Sequence, residues 1–172
     1  MKSVMILGGG PLQIPAIKAA KEMGWRVLLA DGCKNIPGFS MADHFVHVDL
    51  KDHIGMAAAA ADYKARYGLD GVFTAGTDFS TTVAWVAEKL NLPGIPYETA
   101  LNATDKSRMR KIFRDSGVPS PDFLALSRSD RRIDHLPFDF PAVVKPVDNM
   151  GARGIQKVNN MDGRNIFYSI CF

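Results

Sequence analysis

The sequence predicts an α/β protein: an open parallel sheet, followed by part of an α+β unit. Three observations predict it. Short apolar runs at residues 4–7, 26–30, 45–48 and 71–74 alternate with segments of helical periodicity. Two of those runs end in glycine-bearing loops, Gly8-Gly9-Gly10 and Ala75-Gly76-Thr77-Asp78. Beyond residue 96 the alternation gives way to a basic helix and an apolar segment that carries a lysine into a second glycine loop. The 172 residues suffice for one domain or one and a half. The expected division is 1–96 and 97–172.

The first unit starts with the 4–7 run, which stops at Gly8. Pro11 suits the first turn of a helix, where its missing N–H costs nothing. Leu12, Ala16, Ala19, Ala20 and Met23 recur at helical spacing, and Gly24 stops the helix. With the strand at 26–30 this makes a β-α-β unit, the opening of a parallel sheet. The strand at 45–48 follows, then an alanine-rich helix at 53–67 closed by Gly68, and the strand at 71–74. Val83, Val86, Ala87 and Leu90 form the apolar stripe of the next helix, which Asp78 is placed to cap. Residues 92–96 hold Pro93, Gly94 and Pro96 and predict a loop or a very short edge strand.

In the second unit, Thr104 is the expected N-cap of a helix through Ser116, with Met109, Ile112 and Phe113 facing inward. Gly117-Val118-Pro119-Ser120-Pro121 breaks it. Residues 123–126 and 141–147 are expected strands, and 155–158 a returning strand after the glycine loop. The apolar tail at 165–172 has no clear caps.

Composition excludes several classes. An apolar fraction of 47% and a charged fraction of 23% are ordinary for a soluble globular protein. No apolar run approaches the ~20 residues that span a bilayer, and no signal-peptide pattern follows Met1. Cys33 and Cys171 make neither a disulfide framework nor a C-x-x-C metal spacing, so a reducing cytoplasm is the expected compartment. The net charge of +3 is unevenly spread. Residues 1–100 carry nine Lys and Arg against ten Asp and Glu, and residues 101–172 carry twelve against eight. The excess sits at Lys106, Arg108, Arg110, Lys111 and Arg114, and again at Arg128, Arg131 and Arg132. Such a patch attracts anions or is simply a solvated helix face. Without interleaved aromatics it does not point to nucleic acid.

Four places could carry chemistry. Gly8–Gly10, at a strand end before a helix, suits an anion or small ligand. Gly8, Gly10 and Asp31 match part of a G-x-G-x-x-G dinucleotide fingerprint, but Gln13 stands at the third glycine. Thr77 and Asp78 lie at the carboxyl end of another parallel strand, where open α/β sheets bind ligands. Lys106 stands in the first turn of its helix, where the macrodipole disfavours a cation unless it meets an anion. Lys145 lies in an apolar stretch ahead of Gly151 and Gly154, whose backbone amides can approach phosphate oxygens closely. No P-loop motif is present, and an ordinary glycine hairpin is the alternative.

The ordered set resembles the ATP-grasp superfamily over about residues 3–158. The carrying pieces are Met5-Ile6-Leu7-Gly8-Gly9-Gly10, Thr104-Asp105-Lys106, Gly117-Val118-Pro119-Ser120-Pro121, and Val144-Lys145-Pro146-Val147-Asp148 with Gly151-Ala152-Arg153-Gly154. Carbamoyl-phosphate-synthase-like and amino-acid-ligase-like members are nearest in flavour. The resemblance implies a Rossmann-like preATP-grasp domain, followed by part of the small ATP-grasp subdomain. It implies ATP contacts from Lys106, Lys145, Gly151, Arg153 and Gly154. It implies contacts to a carboxylate or amine substrate from Gly8, Gly9, Gly10, Asp31, Thr77 and Asp78. Family chemistry runs through an acyl phosphate that an amine then displaces, with Mg2+ bridging the phosphate oxygens. The magnesium ligands are expected outside this chain, since Asp162 is the only carboxylate after Gly154. The resemblance thus implies the N-terminal fragment of a ligase, either a truncated or interrupted piece of a longer protein or a short natural chain that pairs with another, by itself inactive, with a homodimer possible and no nucleic-acid or membrane partner. A non-catalytic α/β module that binds a small ligand or dimerises is the alternative, and a nicotinamide-dependent oxidoreductase a third reading. Substrate identity, and which residues are catalytic, are not legible.

Overall fold

The computed structural model describes residues 1–127 and 136–160. Arg128, Arg131, Arg132 and Asp162, and the tail at 165–172, lie outside the described residues. The chain divides into two compact units at Ala100 and Leu101.

The first unit is a four-stranded parallel sheet flanked by helices. Its strands are β1 (Ser3–Leu7), β2 (Arg26–Asp31), β3 (His44–His47) and β4 (Gly71–Thr74), in the order β3-β2-β1-β4. The register runs from Ser3 opposite Arg26 to Leu7 opposite Ala30, and from Val4 opposite Gly71 to Leu7 opposite Thr74. The helices are α1 (Ile14–Glu22), α2 (His53–Tyr67) and α3 (Ser80–Lys89).

Strand side chains alternate between faces, and the core divides accordingly. Met5, Leu7, Leu28 and Ala30 pack with Met56, Ala60 and Val86 on one face. Ile6, Val27 and Leu29 pack with Ile17 and Ala20 on the other. Because both faces are covered, β1 and β2 are continuous apolar runs instead of alternating ones. Each fully buried Leu or Ile contributes roughly 1.5–3 kcal/mol. Ser3 is buried at the start of β1 because its hydroxyl donates to the Gly68 carbonyl at 2.6 Å and its amide to the Asp70 carboxylate at 2.7 Å.

The first helix begins later than its sequence suggests. Gln13 N–H donates to the Gly10 carbonyl at 3.0 Å, closing a turn over residues 11–13. Pro15, not Pro11, therefore occupies the first helical turn. The buried stripe is Ile17 and Ala20, while Leu12 is 64% exposed. The alanine-rich helix and β4 have the expected bounds, and the α3 stripe packs on the core.

The division between the units falls within α4 (Tyr97–Thr104). This helix replaces the expected start at Thr104, which is its last residue. The cap of α5 (Lys106–Asp115) is Asp105, held extended and accepting the amides of Ser107 at 2.8 Å and Arg108 at 3.0 Å. A carboxylate at that position also complements the positive helix end. Met109 and Phe113 are partly covered, but Ile112 is 38% exposed.

The second unit continues with a hairpin, β5 (Ala142–Val144) antiparallel to β6 (Gln156–Val158). It is shorter than expected because Pro146 has no N–H to donate and restricts the residue before it. Lys145 thus follows the strand instead of lying within it. Residues 123–126 form no strand, as no strand among the described residues pairs with them.

Candidate functional site

In the first unit, Gly8, Gly9, Gly10, Asp31, Thr77 and Asp78 all stand at the carboxyl ends of β1, β2 and β4. The β1 loop leads to α1 on one face of the sheet and the β4 loop to α3 on the other. Neighbouring loops that part in this way open a crevice at the sheet edge.

The chain itself fills part of that crevice. Gln13 is 3% exposed, and its Nε2 donates to the Ala75 carbonyl across the two loops. Its side chain also lies under Gly8, where an added Cβ would sit 3.3 Å from Gln13 Cδ, and Gly8 has a φ of +89°. The residue at the third glycine position is thus a tie between the β1 and β4 loops. A buried glutamine breaking the glycine pattern was the available signal.

Two of the three glycine amides are already engaged. Gly8 N–H donates to the Ala30 carbonyl at 2.8 Å and Gly9 N–H to Asp31 Oδ2 at 2.9 Å. The other oxygen of Asp31 accepts from the Cys33 amide at 2.9 Å. Asp31 is therefore a brace for the turns after β1 and β2. Gly38 N–H bonds the Gly9 carbonyl at 2.9 Å, closing the following segment over Gly9. Thr77 Oγ1 lies 2.7 Å from Thr74 Oγ1, which donates to the Leu7 carbonyl at 2.9 Å. The N-cap of α3 is Phe79 rather than Asp78, and Phe79 makes no side-chain cap bond.

In the second unit, one cavity of about 770 Å³ gathers the two lysines. Lys106 enters from the first turn of α5 and Lys145 from the end of β5. Arg110, one helical turn beyond Lys106, lines it too. The opposite wall is apolar and includes Phe123, Leu126, Phe138 and Val144. Asp122, Asp139 and Asp148 contribute carboxylates to the lining.

The macrodipole problem at Lys106 is met by carbonyl groups. Its Nζ donates to the Asn149 carbonyl at 2.6 Å and to the Val147 carbonyl at 3.2 Å, and its amide to Val147 at 3.0 Å. Lys145 has no hydrogen-bond or ion-pair partner among the described residues. Burial first, then the charges of Arg110 and Lys106, hold its ammonium below the ordinary lysine range. A partly desolvated cation beside two others is a receptor for an anion.

The glycine loop has the backbone this requires. Gly151, Ala152 and Gly154 have φ of +67°, +59° and +73°. At Gly154 an added Cβ would lie 2.9 Å from Pro146 Cγ, so the loop folds back on the proline after Lys145. Arg153 Nε donates to the Met150 carbonyl at 3.1 Å. Sequence reasoning placed Arg110 only in a general basic patch, although its i+4 spacing from Lys106 puts both on one helix face.

Metal chemistry has less support from these residues. Among the described residues no group of three His, Cys, Asp or Glu side chains converges as a metal site. The described residues do not by themselves fit a bound Mg2+. Among the described residues no helix is long and apolar enough to cross a membrane.

The fold, the loops at the carboxyl ends of the sheet and the cationic hairpin accord with the ATP-grasp resemblance carried by the sequence. Residues 17–94 match the ATP-grasp N-terminal domain, and over nearly its whole length the chain is similar to the N-terminal portion of ATP-grasp ligases. It is 26% identical to the formate-dependent phosphoribosylglycinamide formyltransferase of Rhodococcus jostii, an alignment covering 93% of this chain and 40% of that protein. Among solved structures, the L-amino acid ligase from Bacillus licheniformis superposes with a TM-score of 0.72 at 24% identity, over 96% of this chain and 41% of that one. The N5-carboxyaminoimidazole synthetase from Staphylococcus aureus, complexed with ADP, gives a TM-score of 0.73 at 20% identity, over 98% and 44%. These relatives are ATP-grasp enzymes, and the chain spans about 40% of the length of the curated relatives it matches.

Proposed function

We propose that the chain is the substrate-side portion, and half of the nucleotide site, of an ATP-dependent carboxylate–amine ligase. Its preATP-grasp domain would be residues 1–96, with residues 97–172 supplying part of the small ATP-grasp subdomain. One observation carries this reading: a single cavity with Lys106, Arg110 and Lys145 among its lining and an apolar wall around Phe123 and Phe138. That polarity matches a nucleotide, with phosphates at the cations and the base against the apolar wall.

On this reading Lys106, Lys145, Gly151, Arg153 and Gly154 contact ATP. Lys145 neutralises phosphate charge, and the left-handed glycines bring backbone amides within reach of the oxygens. Lys106 sets the loop at 147–149 while adding its own charge. Gly8, Gly9, Gly10, Asp31, Thr77 and Asp78 form the substrate edge, with Asp31 acting through the Gly9 amide. In the whole enzyme ATP would phosphorylate a small-molecule carboxylate and an amine would displace the phosphate. The chain alone binds nucleotide without completing that cycle, and a homodimer is compatible with the first unit.

Calorimetric titration with ADP and ATP tests this. Micromolar-range binding that drops at least ~10-fold in both Lys145→Ala and Lys106→Ala is the expected result, since loss of a charge-assisted bond costs about 1.5–3 kcal/mol. Binding that survives both substitutions would sink the site assignment.

A further inference from the structure

We propose that Arg110 is a third phosphate-contacting residue of this cavity, meeting the nucleotide's phosphates from the α5 face beside Lys106. The inference rests on the nucleotide reading above and adds a residue that the family resemblance did not indicate.

Geometry comes first. Arg110 lines the same cavity as Lys106 and Lys145. Its Nη1 donates to Ser120 Oγ at 2.6 Å, and that hydroxyl lies 3.3 Å from the Pro121 carbonyl it donates to. The contact fixes the head of a long side chain but uses one of five guanidinium donors. Among the described residues Arg110 has no carboxylate partner. A fork of parallel N–H groups suits a phosphate better than an ammonium does.

Electrostatics points the same way. Apart from burial, the charge that acts most on Lys145 is that of Arg110, ahead of Lys106. Asp122, Asp139 and Asp148 line the cavity but do not offset these cations at Lys145. A bound polyphosphate turns this mutual repulsion into attraction, and draws protons onto Lys145 as it binds.

The test is ADP titration of the full chain from pH 7 to 10, with circular dichroism to follow folding. Arg110→Gln is expected to weaken ADP binding about 10-fold, and Arg110→Lys to recover only part of the loss, lacking the fork. In the wild type, affinity falls as pH rises through the lowered Lys145 pKa. In Arg110→Gln the fall moves to higher pH, because the strongest neighbouring cation is gone. The limb reports the charge of Arg110 at Lys145, whereas the loss of affinity at pH 7, below that limb, reports the phosphate contact. Unchanged affinity of Arg110→Gln at pH 7, with wild type binding ADP, overturns the role of Arg110 whether or not the limb moves, and leaves the nucleotide reading standing. Absence of ADP binding by the wild type overturns both. If Arg110→Gln does not fold, Arg110→Lys decides: several-fold weaker binding supports the proposal, and full affinity overturns it.

Discussion

The Lys106 ammonium donates to the main-chain carbonyl of Asn149 at 2.6 Å, across 43 residues of sequence. This bond holds the start of a helix to the loop that follows the second lysine of the cavity. Replacing Lys106 with Met keeps much of the packing and removes the bond. The expected outcome is faster amide hydrogen exchange in a peptide covering 145–155, with exchange in β1 unchanged. Equal protection of that peptide in both proteins would show that the bond does not hold the loop.

Asp105 caps α5, and its substitution has a defined pH signature. Burial works against its ionisation, yet hydrogen bonds from the Ser107 side chain and from the Arg108 and Ser107 amides hold its carboxyl below the ordinary range. A depressed folded-state pKa contributes stability above the unfolded value, lost as pH falls through the folded one. Asp105→Ala should cost about 1 kcal/mol at pH 7 and progressively less as pH drops toward 2. Urea melts at pH 7, 4 and 2.5 measure it, and a pH-independent difference would contradict the assignment.

Two glycines of the same loop should respond differently. Gly151 and Gly154 both have positive φ, but an added Cβ meets nothing within 4 Å at Gly151 and lies 2.9 Å from Pro146 at Gly154. Gly151→Ala should cost roughly 1–2 kcal/mol of loop energy. Gly154→Ala adds a steric clash and should displace Pro146, weakening ADP binding more than Gly151→Ala does. Equal losses in paired titrations would refute the distinction.

The tie through Gln13 predicts a cost to the stability of the first unit. Gln13→Ala leaves the Ala75 carbonyl without its donor and removes buried volume. The expected destabilisation is about 1–3 kcal/mol. Urea unfolding of the two proteins checks it, and no change would show that solvent replaces the amide without loss.

The parallel sheet was legible because both faces of β1 and β2 are covered, which forces continuous apolar runs such as Met5-Ile6-Leu7. The ends of elements were less legible. Turn geometry around Gln13, not the proline at 11, decides where α1 begins. Pro93, Gly94 and Pro96 concealed α4, although Pro96 followed by Glu98 in the first turn was a start signal. In the candidate site, Lys106 and Lys145 could be named from their motifs. Arg110 belongs to no motif: its spacing from Lys106 gave the helix face, but the place of its head depends on the bond to Ser120, ten residues on.

The Gln13 bridge also bears on molecular selectivity. The crevice between the β1 and β4 loops is stoppered by a side-chain amide bonded to the Ala75 carbonyl. A molecule entering there must either leave that bond intact or replace it with a donor of its own. A hydrocarbon guest that displaces the amide strands the carbonyl. Opening the crevice at this point therefore favours guests that carry a hydrogen-bond donor of their own.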